Sequence, residues 1–126
     1  MSEHRPWLSN YPGGVPANIN PDAYATINDL LDECFKKYTS LPAFSCFGKE
    51  LTYKQVDRYS QAFGAYLQSR GLEPGDKIAL MMPNLLQYPI ALIGALRAGL
   101  VIVNTNPLYT PREMQHQMFY KPPAIA

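Results

Sequence analysis

The chain is poor in most residues from which reactive sites are built. It has two cysteines, Cys34 and Cys46, and two histidines, His4 and His116. Two thiols are too few for a disulfide framework or a four-ligand zinc site. Both sit among apolar neighbours and read as reduced, buried thiols, a usage that suits the cytosol. Charge of one sign is missing too: 11 Lys and Arg against 10 Asp and Glu give a formal net charge of +1. That balance offers no electrostatic footprint for nucleic acid. Met1–Asn10 is polar, contains Pro6 and lacks an apolar run, so no secretory leader is expected.

One apolar stretch imitates a membrane span. Leu85–Val103 carries a single charge, Arg97, and matches the length of a bilayer crossing. Pro89 and Gly94 weaken a continuous helix, Gly99 reads as a helix stop, and Val101-Ile102-Val103 is strand chemistry. Arg97 near the centre of lipid would cost about 2.5–3.5 kcal/mol. The stretch is expected to fold rather than insert.

What the chain has is apolar bulk. At 47% hydrophobic and 17% charged it should bury a core. Residues 1–25 are rich in Pro, Asn and Gly and predict an irregular arm lying across a larger body. Thr26 with Asp29 predicts a helix start, and Ile27, Leu30, Leu31, Cys34, Phe35 and Tyr38 follow as one apolar face. Ala43–Phe47 and Leu51–Tyr53 predict a small hairpin turning through Gly48-Lys49-Glu50. Thr52 with Gln55 predicts a second capped helix that buries Val56, Tyr59, Phe63, Tyr66 and Leu67 and stops at Gly71.

The next segment decides the fold class. Lys77–Met82 reads as a continuous apolar strand, Asn84 as the N-cap of a helix over Leu85–Arg97, and Leu100–Val103 as a second strand. Apolar strands without alternation belong to sheets covered on both faces, and strand–helix–strand over this length is a parallel βαβ unit. Its helix is apolar almost all round, which predicts burial in something larger. Thr110-Pro111-Arg112-Glu113 starts a further helix. The class is therefore α/β, with flanking helices and a hairpin, and the architecture looks unfinished. Residues 26–117 read as an incomplete α/β subdomain and 118–126 as an atypical terminus, in which Pro122-Pro123 should stop both helix and central ladder.

Motifs that carry chemistry are absent or partial. Glu113-x-x-His116 has the spacing of half a carboxylate-bridged di-iron site, but the second copy is missing, so it reads as a solvated helix face. Gly94 and Gly99 have the spacing of a phosphate loop without its Lys-Ser/Thr, and Gly13-Gly14 is a turn. Ser45 and Ser60 lie in no nucleophile elbow. Tyr53, Tyr59 and Tyr66 read as packing. No catalytic, cofactor-binding or metal-ligating residue is assigned.

Several segments do form a familiar order. Trp7-Leu8-Ser9-Asn10-Tyr11-Pro12 and Val15-Pro16…Ile19-Asn20-Pro21 resemble the N-terminal arm of bacterial long-chain fatty acid–CoA ligases. Leu51–Val56 is similar to the first core motif of the wider adenylate-forming family, and Leu96–Asn104 to its second, which Asn106–Glu113 continues. Ala79–Pro89 resembles the long-chain ligases in particular. The resemblance runs from about Trp7 to Gln117 and implies a partial N-terminal subdomain of an adenylate-forming ligase.

It implies an enzyme that makes an acyl-adenylate from ATP and a fatty acid, then a thioester with coenzyme A, using Mg2+. The phosphate loop and the later catalytic groups of that family have no counterpart here. The fragment alone is therefore expected to be inactive and to bind none of these cofactors. The family setting implies a cytoplasmic location with peripheral contact at the inner membrane face, and missing strands imply self-association. Two other readings stand beside this one: a regulatory module pairing with a full-length ligase, and a small lipid-binding protein using the 85–103 region.

Overall fold

The computed structural model describes residues 4–119 and 124–125. Capping chemistry sets its frame. Helix α1 (Ile27–Lys37) starts where Thr26 Oγ1 accepts the Asp29 N–H at 3.1 Å and the Asp29 carboxylate accepts the Thr26 N–H at 2.9 Å. Helix α2 (Tyr53–Ser69) repeats the device with Thr52 and Gln55, at 3.3 and 2.9 Å. Each such cap is worth about 1 kcal/mol. Gly71 and Gly99, at φ +82° and +77°, follow the ends of α2 and α3 (Gln87–Arg97) in the conformation that only glycine adopts freely.

Between α1 and α2, strands β1 (Pro42–Cys46) and β2 (Lys49–Thr52) pair antiparallel. The hairpin is tighter than the sequence predicts. Its two loop residues are Phe47 and Gly48, at φ +48° and +72°, rather than Gly48–Glu50. Two left-handed residues match the twist of the flanking strands, and that match outweighs the unfavourable conformation of Phe47.

The βαβ unit is of the predicted parallel type. Strand β3 (Lys77–Leu80) pairs parallel with β4 (Val101–Asn104), from Lys77 opposite Val101 to Leu80 opposite Asn104. Met81 and Met82 fall just beyond β3, and β4 is displaced one residue toward the C-terminus from the predicted Leu100–Val103. The turn before β3 is tied to the turn before β4, because Gly75 N–H donates to Gly99 O at 2.9 Å and Val101 N–H to Asp76 O at 2.8 Å. Helix α4 (Pro111–Phe119) follows, and β5 (Ala124–Ile125) lies parallel on the far side of β3, giving the order β4-β3-β5. Pro122-Pro123 lies outside the described residues.

Two expectations need correction. Asn84 does not cap α3. It is the centre of a tight turn closed by Leu85 N–H on Pro83 O at 2.8 Å, which moves the helix start to Gln87 behind an uncapped Leu86. The buried face of α2 is Val56, Ser60, Gly64 and Leu67; Tyr59 and Phe63 are half-buried and Tyr66 is 54% exposed. Small residues win that face because α2 and α3 meet backbone to backbone. A Cβ on Gly64 would lie 2.9 Å from Gly94 O, and one on Gly94 would lie 2.8 Å from Ser60 O. Helix α3 is only partly covered by this chain, and Tyr88, Ile90, Leu92 and Leu96 stay half-buried. Ala91, Ala95 and Ala98 pack with Leu67, Ile78 and Leu100, while Ile93 packs with Phe35 and Val56 in a second cluster.

No described helix is long and apolar enough to cross a membrane; α3 has 11 residues.

Candidate functional site

An apolar concavity lies where β3 ends. Its volume is about 470 Å³. Ala79, Leu80, Met81 and Met82 supply the floor, Phe63 reaches in from α2, Ile90 and Ala91 border it from α3, and Met114 and Met118 line it from α4. Four of the five methionines of the chain meet there. Among the described residues Gln87 is the one polar side chain in the lining, and none of them is charged. Thioether side chains adapt their shape to irregular apolar surfaces, so the arrangement suits an apolar occupant and no ionic chemistry. The signal in the sequence was the pair Met114 and Met118, four apart on one helix face; nothing local links them to Met81.

A second polar feature fastens three helices. Arg97, at the end of α3, donates through Nη2 to Asp32 Oδ1 of α1 at 2.9 Å and to Asp57 Oδ1 of α2 at 2.7 Å. Its guanidinium also lies over the Phe35 ring, 5.3 Å from the centroid. Its side chain is 19% exposed, a setting in which paired charges matter more than on the open surface. Asn28 Nδ2 adds a bond to Leu96 O at 3.1 Å. Sequence reading treated Arg97 only as a charge unwelcome in lipid and missed this clamp, whose partners lie 65 and 40 residues away.

The motifs singled out in the sequence are not brought together. Glu113 caps α4, accepting the Thr110 N–H at 2.8 Å and hydroxyl at 2.7 Å. The Thr110 side-chain and backbone donors hold its carboxyl below the usual range, which keeps it ionised as a cap. It lines a shallow cavity with Tyr109, His116 and Gln117. Among the described residues no group of three or more His, Cys, Asp or Glu is placed to hold a metal ion.

Ser60 is fully buried and donates to Asp57 O at 3.0 Å, whereas Ser45 sits in the exposed part of β1. Tyr53 packs edge-on against Phe35 and tilted against Tyr38, and Tyr59 lies under Arg58. Gly94 serves helix packing and Gly99 a helix stop. The thiols are half-buried rather than buried, because the elements that carry them are covered on one side only; Cys46 Sγ lies 3.5 Å from Asn84 O.

The arm is nearly uncovered. Trp7, Val15 and Ile19 are 53%, 50% and 84% exposed. Tyr24 reaches the body, where its hydrogen bond to Glu33 and the charge of that carboxylate raise the phenol pKa.

Comparison with known proteins gives this geometry a context. The family model described as AMP-binding enzyme matches residues 31–120. The long-chain-fatty-acid–CoA ligase of Salmonella typhimurium is 53% identical over 113 residues, covering 89% of this chain and 20% of the ligase. The Bacillus subtilis ligase of the same description is 36% identical over 118 residues, covering 94% of this chain and 21% of its own. Among solved structures, VinN in complex with L-aspartate matches with a TM-score of 0.75 at 30% identity, over 80% of this chain and 29% of VinN. The chain thus spans about a fifth of the length of the curated relatives it matches. The family model covers most of the residues, including α2, the βαβ unit and α4, and the chain belongs to the AMP-binding enzyme family.

Proposed function

We propose that this chain is N-terminal framework for a long-chain fatty acid–CoA ligase, the enzyme class that joins a fatty acid to coenzyme A at the expense of ATP, and that it performs no chemistry alone. The observation that carries the reading is the 53% identity over 113 residues to the Salmonella typhimurium ligase. The geometry supports a scaffold role, since three of the carboxylates serve structural contacts. Asp32 and Asp57 pair with Arg97, and Glu113 caps its helix. Among the described residues no three His, Cys, Asp or Glu side chains converge, which does not fit an Mg2+–ATP site, and no catalytic step is derived through one. On this reading residues 1–25 form an arm, 26–117 an incomplete subdomain and 118–126 an atypical terminus.

The same reading places the protein in the cytoplasm with peripheral membrane contact. Exposed Trp7, Ile19 and Leu108 (86% exposed) support such contact, and together with the groove they support self-association of the isolated chain. The test is a chimera in which residues 1–117 replace the matched segment of the Salmonella ligase. The chimera should form acyl-CoA from palmitate, ATP and coenzyme A, and the 126-residue chain should form none. A folded but inactive chimera overturns the framework reading, and activity of the chain alone overturns its non-catalytic half.

A further inference from the structure

The β1–β2 hairpin ends in a residue that its turn does not call for. Phe47 takes φ +48°, a conformation that suits Asn or Gly in a two-residue loop and strains a bulky side chain. The ring gains no packing in return, being 93% exposed. Strain held at an exposed tip, with nothing inside the chain to offset it, is the mark of a contact made outside the chain. Phe44 extends the apolar tip and shares a shallow cavity with Leu85, beside the point where Cys46 Sγ reaches Asn84 O.

Charge is concentrated behind that tip. Lys36, Lys37, Lys49 and Lys54 against Glu50 give residues 36–54 a net charge of +3, whereas the whole chain carries +1 and the remainder therefore −2. All four lysines are exposed. Lys49 stands opposite Cys46, next to the tip. The other three are held at the hairpin base, because Tyr53 N–H donates to Leu41 O at 3.1 Å and Lys54 N–H to Thr39 O at 3.0 Å. Asp32 and Asp57, on the helices that meet this base, are taken up by Arg97. An aromatic tip with cations set back from it matches the layering of an anionic bilayer, apolar beneath and negative at the headgroups. The five residues of β1 that lead back from the tip span roughly 16 Å. Insertion of the tip by about 5–10 Å would hold the base lysines at about one Debye length, ~8 Å, from the lipid charge.

We propose that the β1–β2 hairpin is a membrane-docking tip: Phe47 and Phe44 enter the headgroup boundary of an anionic bilayer, and Lys49 with the three base lysines faces its phosphates. This rests on the peripheral contact in the reading above and deepens it, assigning that contact to the hairpin rather than to Trp7, Ile19 or Leu108.

Vesicle flotation of the full 126-residue chain tests this, because aggregates do not float. Vesicles of phosphatidylcholine alone are compared with vesicles of phosphatidylcholine mixed with phosphatidylglycerol, at low and at high salt. The native chain should float with the anionic vesicles, about fivefold less with neutral ones, and less again as salt screens the lysines. Phe47→Asn keeps a residue suited to the turn and should lose at least about fivefold of the binding. Lys49→Glu should lose at least about fivefold too, the factor that one surface cation commands. Trp7→Ala and Leu108→Ser should change binding less than about twofold. Far-UV circular dichroism of each purified variant verifies folding. Native-like binding by Phe47→Asn overturns the proposal, as does equal binding to neutral and anionic vesicles. Binding kept in Phe47→Asn but lost in Trp7→Ala sinks the role of the hairpin and leaves the peripheral contact standing; no binding by any chain sinks both. Loss of acyl-CoA formation when Phe47→Asn is placed in the ligase chimera would seat the tip against the rest of the ligase and overturn the lipid assignment, whereas an inactive parent chimera sinks the framework reading instead.

Discussion

The two ends of α3 meet different fates. Its C-terminal half is locked: Gly94 touches the α2 backbone, Ala95 and Ala98 are buried, and Arg97 binds two aspartates on two helices. Its N-terminal turn has no side-chain cap, and Gln87 and Ile90 border an open apolar groove. One helix thus joins a finished interface to an unfinished one. The finished half uses small residues and a charge clamp, where close approach excludes water. The other presents long, flexible side chains around space that no described residue fills.

Substitutions can break that contrast or sharpen it. The largest effect is expected from Gly94→Leu, which forces four carbons into a seam where even one would clash with Ser60 O. A loss of about 3 kcal/mol or more, read as insolubility or a collapsed urea midpoint, is expected. If Gly94→Leu melts like the native chain, the two helices are not in backbone contact.

A matched pair comes next. Leu67→Ala, on a side chain 1% exposed, should cost about 3 kcal/mol in urea unfolding, whereas Met118→Ala in the groove should cost less than about 1 kcal/mol. Equal costs would mean that the groove is as well packed as the core.

Arg97→Ala should lower stability by about 2 kcal/mol, and Arg97→Lys should recover only part of it, because an ammonium cannot reproduce the planar donor geometry. Full recovery by lysine would reduce the clamp to simple charge.

The smallest expected effect is at α4. Because Thr110 lowers the Glu113 pKa from 4.5, this cap stabilises the helix fully above about pH 4.5 and fades as pH falls through the lower, folded value. The protection factor of the Met114 amide, which donates to Thr110 O, should fall over that window in the native chain and stay flat in Thr110→Val. An unchanged profile in Thr110→Val would remove Thr110 as the cause.

How much of this was legible depended on how local the signal was. Thr26, Thr52, Gly71 and Gly99 act within a few residues of themselves, so the sequence announced both capped helices and both glycine stops. The parallel unit followed from apolar runs on either side of a helix. Reading large apolar residues as the core-facing set misplaced the buried face of α2, because the closest helix contact excludes the very residues that such a rule counts. Asn84 looked like a cap until Pro83 and Leu85 closed a turn around it. The groove was out of reach: Met81 and Met114 become neighbours only after β3, α3 and β4 are in place. The clamp at Arg97 was hidden for the same reason.

The glycine seam constrains how this polypeptide can diversify. A methyl group at Gly64 would meet Gly94 O, and one at Gly94 would meet Ser60 O and the Phe63 ring, so neither position can enlarge while the two helices keep their spacing. A library randomised at both should return glycine at both. That outcome should be the same in an isolated chain and in a full-length ligase, because the crowding atoms all come from this one stretch of polypeptide.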